Sequence, residues 1–341
     1  MAPGKGLVDV VKTWDQLEMQ QPVVMRILKN MLQKNRIAHA YLFEGMKGTG
    51  KKETAIIFAK AIYCENLQDG YKPCETCRSC RRIDNRNNPD FHVIEPEGAS
   101  IKIDQIRKLQ QEFAKKAVES QYKVYIIVAA DKMTVSAANS LLKFLEEPDG
   151  KTLAILITEQ PQKILPTIIS RCQLMSFQPL PKKEMIAILV EEGLDPGEAP
   201  LFAHLTSSID EAKKLEEDEW FLQAKEIVLK LNEIMNQERL MDALLYIQTD
   251  WIPHFKTREQ IDIGLDLLLY MFRDILAVQN GQEHDLVFPR KKNEWEKSAL
   301  QYTPHHLTRT IHTILEAKKR LQANVNGALL MEQLLVTLLE G

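Results

Sequence analysis

Two groups of residues in the first quarter of the chain have types and spacings that could do chemistry. The first is the glycine-rich stretch Tyr41-Leu-Phe-Glu-Gly-Met-Lys-Gly-Thr-Gly-Lys51-Lys52. From Gly45 to Lys51 it fits the P-loop pattern Gly-x-x-x-x-Gly-Lys. In a P-loop, backbone N–H groups cradle phosphates and the lysine reaches their outer oxygens. The stretch therefore predicts a site for the phosphates of a nucleotide.

One position of this stretch departs from the pattern. A Ser or Thr normally follows the lysine, because its hydroxyl binds the Mg²⁺ that accompanies the nucleotide. This chain has Lys52 there instead. The predicted cradle thus lacks a metal ligand, and the sequence leaves ATP binding doubtful at its four residues, Gly45, Gly48, Gly50 and Lys51.

The second group is a set of cysteines with the spacing C-x9-C-x2-C-x2-C, namely Cys64, Cys74, Cys77 and Cys80. Four thiolates at this spacing suit a tetrahedral Zn²⁺ ion. An iron–sulfur cluster uses cysteines at similar spacings, and four free thiols in a polar loop are the remaining alternative. Because nothing in the segment suggests an open catalytic position, the sequence favours a structural zinc.

Four arginines surround these cysteines: Arg78, Arg81, Arg82 and Arg86. Such a run is usually a solvated surface, and the alternative is a contact with nucleic acid or with a protein partner. The formal net charge of −3 argues against a protein that is basic overall. It does not argue against a local basic surface.

Length and composition fit a soluble protein of two or three domains, with 341 residues of which 45% are hydrophobic and 27% charged. No run approaches the roughly 18 apolar residues of a membrane span. The segment from Met1 to Val11 lacks the apolar core of a signal peptide. The cysteines are grouped as for a metal rather than for disulfides. We therefore expect a cytoplasmic protein without a membrane partner.

The elements that must position these groups alternate between strands and helices. An apolar strand at 40–43 leads into the glycine loop, and a helix at 51–63 follows it. Further strands are predicted at 91–94, 123–130, 153–158 and 174–177, with helices at 21–33, 103–113 and 137–147. This alternation indicates a mostly parallel, doubly wound sheet with helices on both faces.

Strand signals stop after residue 181. Short helical segments follow up to about residue 212, and from Leu215 the pattern is helical throughout, ending in a predicted helix at 324–339. The predicted domains are a P-loop domain at 1–178 with a metal-binding insert at 64–80, a helical lid at 179–213 and an all-helical domain at 214–341.

This combination of parts resembles the bacterial clamp-loader family, the AAA+ proteins of the DNA polymerase III holoenzyme. The stretch Asn139-Ser-Leu-Leu-Lys-Phe-Leu-Glu-Glu-Pro148 is similar to the family's helix after the Walker B strand. The stretch Ile168-Ile-Ser170-Arg171-Cys172 is similar to its Ser-Arg-Cys motif. The resemblance implies an α/β AAA+ fold, with a small helical lid and an all-α C-terminal collar.

The resemblance also implies partners. These are the gamma/tau-type motor subunits and the delta subunit in a hetero-pentamer, with the sliding clamp and primer-template DNA in the assembled complex at the replication fork.

Hydrolysing members of the family carry Asp-Glu at the end of the Walker B strand, to hold Mg²⁺ and to polarise the attacking water. By the resemblance these acids fall on Val128 and Ala129. Asp131 lies further on and is a poor substitute, because side chains alternate along a strand that is ending there. The lid's sensor arginine falls on Asp210. Together with Lys52, these positions imply that this chain does not hydrolyse ATP.

The Ser-Arg-Cys motif, in contrast, is intact. In the family its arginine reaches across a subunit boundary to the neighbour's ATP, so the resemblance implies that role for Arg171, flanked by Ser170 and Cys172. The chain is then a stator that helps to load the clamp. The alternatives are an ATP-hydrolysing motor subunit with an unusual site, a zinc-containing DNA-binding module and, for Arg171 itself, a surface salt bridge.

Four further residues have two interpretations each. Thr158 falls on the family's sensor position at the end of the fourth strand, or is a hydrogen-bonding strand cap. By the resemblance, Trp14, His39 and Tyr41 line the nucleotide pocket; the alternative is ordinary packing around the first strand.

Overall fold

The computed structural model describes residues 12–114, 122–146, 151–237, 239–323 and 325–340. The chain divides into two compact units, residues 1–180 and 181–341. The first boundary predicted from the sequence, at 178, lies two residues from this division. The separate lid at 179–213 stays a prediction.

The first unit contains a five-stranded sheet in which every pair of neighbouring strands is parallel. Its strands, in the spatial order β2-β3-β4-β1-β5, are β1 (Ala40–Gly45), β2 (Phe91–Ile94), β3 (Tyr122–Ile127), β4 (Lys151–Thr158) and β5 (Gln173–Phe177). Since both faces of such a sheet are covered, β3 and β4 are almost continuously apolar. The predicted parallel sheet with helices on both faces is confirmed.

Helices cover both faces of this sheet. They are α1 (Trp14–Gln20), α2 (Pro22–Gln33), α3 (Lys51–Tyr63), α4 (Arg78–Asp84), α5 (Ile103–Ala114), α6 (Val135–Glu146) and α7 (Pro166–Ile169). Successive residues of β1 alternate between two apolar clusters. Tyr41 and Phe43 pack with Phe58 of α3, whereas Leu42 packs with Ile106 of α5 and Leu141 of α6.

Several predicted boundaries need correction. The strand expected at 153–158 starts at Lys151, and the helix expected at 324–339 starts at Gly327, with residue 324 outside the described residues. The strand expected at 123–130 ends at Ile127, because Ala129 has a left-handed backbone (φ 51°) and starts a 3₁₀ turn at Ala130–Lys132. The amide of Val128 still donates to the carbonyl oxygen of Ile94, at 2.9 Å. The helix expected at 137–147 starts at Val135, and residue 147 lies outside the described residues.

The described residues of the second unit contain helices and no β-strand. The helices are α8 (Lys182–Glu191), α9 (Ala199–Leu205), α10 (Ile209–Glu216), α11 (Glu219–Met235), α12 (Leu240–Tyr246), α13 (Ile252–His254), α14 (Arg258–Gln279), α15 (Lys292–Ala299), α16 (Pro304–Gln322) and α17 (Gly327–Glu340). The helical C-terminal region is thereby confirmed. No described helix is long and apolar enough to cross a bilayer.

A loop after α14 interrupts the pattern that the sequence predicted as helical throughout. The fully buried carboxylate of Asp274 holds this loop by accepting N–H bonds from Val287, at 2.8 Å, and Phe288, at 2.7 Å. Burial raises the pKa of Asp274, and the two backbone donors act in the opposite direction. A buried carboxylate with two such donors replaces the helical hydrogen bonds that the loop lacks.

Candidate functional site

The glycine loop lies between β1 and α3, as predicted. Gly45, Gly48 and Gly50 all have positive φ angles, of 151°, 81° and 82°. A Cβ atom at Gly45 would lie 2.4 Å from the carbonyl oxygen of Phe177 on β5. Gly50 is the left-handed residue from which α3 starts. The backbone therefore requires glycine at 45 and favours it at 50.

The ammonium group of Lys51 is folded back onto this loop. The residue is only 6% exposed, and its Nζ donates to the carbonyl oxygens of Gly45, at 2.7 Å, and Met46, at 2.5 Å. Burial lowers the pKa of Lys51, and the nearby charge of Glu159 partly offsets this. The cation that would reach a phosphate is thus bonded to the loop's own carbonyls.

Two glutamines at the junction of α1 and α2 hold the loop from the outside. The Nε2 of Gln20 donates to the carbonyl oxygen of Gly48, at 3.2 Å. The Nε2 of Gln21 donates to those of Thr49, at 3.0 Å, and Gln178, at 2.6 Å. Both glutamines are buried. Sequence reasoning missed them, because their bonds reach backbone atoms at least 28 positions away.

Lys52 takes the place of the expected hydroxyl and pairs with an acid at the end of β2. Its Nζ lies 3.0 Å from Oε1 of Glu95, and the guanidinium of Arg86 lies 3.8 Å from the same oxygen. A second lysine beside the loop therefore neutralises a carboxylate that directly follows β2, an edge strand of the sheet.

The positions of the missing acids lie at the carboxyl end of β3. Val128 and Ala129 carry no metal ligand, and Asp131 follows them in the 3₁₀ turn. The hydroxyl of the buried Thr158 donates to Oδ1 of Asp131, at 2.8 Å, and accepts the N–H of Gln160, at 3.0 Å. This geometry favours Thr158 as a strand cap that joins the ends of β3 and β4.

Of the three residues considered for the nucleotide pocket, two lie in the core. Trp14 packs edge-on against Tyr71, with ring centres 5.3 Å apart. The hydroxyl of the fully buried Tyr41 accepts the N–H of Ala38, at 2.8 Å. His39 is exposed. Ordinary packing therefore accounts for the two aromatic residues.

The four clustered cysteines meet at one point, with their Sγ atoms all within 4.8 Å of one another. Zn–S bonds of about 2.3 Å would put sulfurs about 3.8 Å apart in a tetrahedral site, so this grouping fits the ion. Backbone N–H groups also point at the sulfurs: Cys74 donates to Cys64, at 3.2 Å, and Cys77 to Cys74, at 3.3 Å. Such bonds orient metal ligands. These cysteines can hold a metal such as zinc.

The segment that carries the four cysteines is attached to the helices on either side of the glycine loop, α1 and α3. Cys64 directly follows the last residue of α3. The fully buried Lys60 of α3 reaches Oδ1 of Asp84, at 2.7 Å. On the other side, Lys72 pairs with Asp15 of α1, at 2.5 Å. The segment thus connects α1 and α3, which flank the loop.

The three residues of the Ser-Arg-Cys motif have different surroundings just after α7. Burial raises the pKa of Cys172 to about 12, and the residue packs against the apolar cluster below α6. The hydroxyl of Ser170 donates to the carbonyl oxygen of Thr167, at 3.1 Å. The side chain of Arg171 is 35% exposed, and its Nη2 lies 2.6 Å from Oε1 of Glu146. Cys172 anchors the segment, and Arg171 lies at the surface.

Asp210, which the resemblance aligned with the family's sensor arginine, lies in the second unit. Ser208 caps α10 by accepting the N–H of Glu211, and Asp210 lies in the first turn of that helix. An acid in the first turn is favourable for the helix dipole. Asp210 therefore stabilises its own helix.

Two family models match this chain. One, described as the delta subunit of DNA polymerase III, matches residues 20–181. The other, described as the C-terminal part of the delta subunit, matches residues 250–340.

Curated relatives give longer matches. The DNA polymerase III delta-prime subunit of Bacillus subtilis is 47% identical over 329 residues, which cover 96% of this chain and 99% of the relative. The tau subunit from the same organism is 41% identical over 169 residues, 49% of this chain and 29% of the relative.

Solved structures are more distant. A gamma subunit-related protein of Thermotoga maritima aligns with a TM-score of 0.48 and 20% identity, over 92% of this chain and 98% of that one. The clamp loader delta protein of Bacillus subtilis aligns with a TM-score of 0.34 and 14% identity, over 93% and 99%.

Proposed function

Because the chain belongs to the delta-prime family of DNA polymerase III clamp-loader subunits, we propose that it is the stator that lends Arg171 to a neighbouring motor subunit's ATP site. Membership of the family places the chain in DNA replication and confirms the resemblance found in the sequence. The proposal concerns the division of labour: this subunit catalyses nothing alone, and its arginine acts on another chain's nucleotide.

The contrast between two cations of the first unit, Lys51 and Arg171, supports this most directly. Lys51 is buried and bonded to its own loop, whereas Arg171 is partly exposed and paired with one carboxylate, that of Glu146. A guanidinium is planar and always charged, so it can donate to the γ-phosphate as negative charge develops there. Arg171 is the cation that another subunit can reach.

For the chain's own glycine loop, we propose weak or no ATP binding. A phosphate would have to compete with the carbonyl oxygens of Gly45 and Met46 for Lys51. Each carbonyl released without a new partner would cost free energy. Lys52, Val128 and Ala129 supply no ligand for Mg²⁺. The same losses disfavour the alternative of a motor subunit.

The metal at the four cysteines is proposed to be structural zinc. All four ligand positions would be filled by Cys64, Cys74, Cys77 and Cys80, which leaves no open position for a substrate or a water molecule. When bound, the ion supplies a cross-link between the end of α3 and the segment that reaches α1.

The proposed partners are the gamma/tau-type motor subunits and the delta subunit, in a hetero-pentamer that acts on the sliding clamp and primer-template DNA. We assign assembly to the helical collar at 214–341 and a lid role to 179–213. The proposed location is the cytoplasm, at the replication fork.

Arg171→Ala in the reconstituted complex tests the central proposal. At the ATP site that Arg171 serves, hydrolysis should fall by about 10³-fold or more, as when other arginine fingers are removed. The complex should assemble normally, because Arg171 is partly exposed and outside the core. Arg107→Ala is the matched control, since it removes an exposed arginine of the same unit that pairs only loosely with Asp104, at 3.7 Å. Full ATPase activity in Arg171→Ala would refute the proposal.

A further inference from the structure

In the isolated chain Arg171 already has an anionic partner. Its Nη2 lies 2.6 Å from Oε1 of Glu146, and its Nη1 donates to the carbonyl oxygen of Thr167, at 2.8 Å. Glu146 is the last residue of α6, and Arg171 follows α7, 25 positions later in the chain. The ion pair is therefore a tertiary contact that the fold creates, not a pairing of neighbours on one helix.

A phosphate would compete with this contact for the donors of the guanidinium. Arginine has five N–H donors, and bidentate binding of a phosphate takes two parallel ones. The pair with Glu146 uses one N–H of Nη2, and the bond to Thr167 uses one N–H of Nη1. A phosphate that approached the paired arginine would also meet the negative charge of Glu146 at close range.

The pair is weak enough to exchange. The side chains of Arg171 and Glu146 are 35% and 48% exposed, so water and salt screen their attraction. Exposed pairs of this kind shift an equilibrium by only about two- to fivefold. A nucleotide phosphate carries more negative charge and would meet the arginine inside an interface from which water is excluded, where the attraction is stronger.

We propose that Glu146 is a placeholder for the neighbour's nucleotide: it holds Arg171 at the surface until a phosphate displaces it. The inference rests on the proposed function of Arg171 and adds its regulation. Engagement of the arginine then requires the phosphate to outcompete Glu146. The carboxylate thereby raises the ATP concentration at which the neighbouring site becomes active. Glu146 acts through Arg171 and is a positioning residue, not a catalytic one.

Glu146→Gln in the reconstituted complex tests this, because the amide keeps the shape of the side chain and removes its charge. The apparent KM for ATP should fall by about two- to fivefold, with kcat little changed. The melting temperature of the isolated chain should stay the same. The matched control is Glu192→Gln, which removes a similarly exposed tertiary ion pair, to Lys213 at 2.5 Å, in the other unit. It should leave KM unchanged.

Two further variants make the result decisive. In the Arg171→Ala background, Glu146→Gln should have no further effect on KM, since there is no arginine left to release. Glu147 is next in the sequence, so a double variant with Glu146→Gln and Glu147→Gln tests whether it can substitute. The double variant should give the same or a larger fall in KM.

The outcomes separate this inference from the proposed function. If Arg171→Ala leaves the ATPase unchanged, the proposed function fails, and the placeholder role fails with it. If Arg171→Ala lowers the ATPase but Glu146→Gln and the double variant leave KM unchanged, the placeholder role alone is wrong. A raised KM or a lower kcat in Glu146→Gln would show that the carboxylate orients Arg171 for catalysis. That result would also overturn the placeholder role.

Discussion

The glycine loop and the Ser-Arg-Cys segment belong to the same unit, yet their charged groups have opposite surroundings. In the loop, Lys51 is buried and its donors are bonded to Gly45 and Met46, while two glutamines hold the loop's other carbonyls. In the motif, Arg171 lies beside the half-buried Cys172 and is paired with Glu146, a partner that is screened by solvent and can exchange.

Under the proposed function, this difference explains how a phosphate-binding sequence can persist without ATP hydrolysis. A loop whose polar groups are satisfied by its own chain contributes to folding, and its residues are then required by the backbone. A cation whose partners are a solvent-screened carboxylate and a nearby surface carbonyl contributes little to folding and stays available to another molecule. Variants of the first region should therefore change stability, and variants of the second should change the activity of the complex.

Loss of the metal should have the largest effect on stability. Under the proposed role of the zinc, metal-free protein should lose several kcal/mol of folding free energy in the first unit, because the ion would cross-link the segment that joins α1 and α3. Metal analysis should find one zinc per chain, and calorimetry before and after chelation would measure the loss. Cys77→Ser should abolish zinc binding. Cys172→Ser is the control, since it changes the one cysteine outside the cluster. An unchanged melting curve after complete metal removal would contradict a structural role.

Gly45→Ala should come next, with a loss of about 3 kcal/mol in unfolding free energy. The new Cβ would meet the carbonyl oxygen of Phe177 at 2.4 Å, and the backbone there has φ 151°. Gly98→Ala separates the two causes, because Gly98 also has a positive φ, of 72°, but no atom within 4 Å of the added Cβ. That control should cost about 1 kcal/mol. Chemical denaturation compares the two, and equal losses would show that close packing of the loop on β5 is unimportant.

Much of the fold could be predicted from the sequence, because it depends on local patterns. The continuous apolar run in β3 and the glycine pattern before α3 each specify an element without reference to the rest of the chain. The end of β3 was predicted three residues too late, since Val128 to Ala130 are apolar and only the left-handed backbone of Ala129 stops the strand.

The candidate site was predictable only in part, for a physical reason. Cysteine spacing indicates a metal, because all four ligands lie within one short segment. The partners of Lys51, Lys52 and Arg171 depend on tertiary contacts that no spacing reveals. Glu146 lies inside the stretch that carried the family resemblance, but only the packing of α6 near α7 brings it to Arg171.

Lys51→Met should have the smallest effect on stability, and it tests the comparison between the glycine loop and the Ser-Arg-Cys segment most sharply. Removing the ammonium leaves the carbonyls of Gly45 and Met46 without this donor, at a cost of about 1–2 kcal/mol, partly offset because a buried charge is also removed. The ATPase of the reconstituted complex should stay at the wild-type level, in contrast to Arg171→Ala. Calorimetry with ATP should give no micromolar binding for either the wild type or Lys51→Met.

The difference in stability between the wild type and Lys51→Met should depend on pH, and its direction follows from the lowered pKa of Lys51. Burial lowers the pKa of Lys51 below its ordinary value of 10.5, so the unfolded chain binds this proton more tightly than the folded one. The resulting penalty is fully present below the folded pKa and disappears as the pH rises toward 10.5. Relative to Lys51→Met, the wild type should therefore gain stability across that alkaline range. If the wild type instead lost stability relative to Lys51→Met over this range, the charged ammonium would be stabilised inside the loop, as in a loop still suited to binding phosphate.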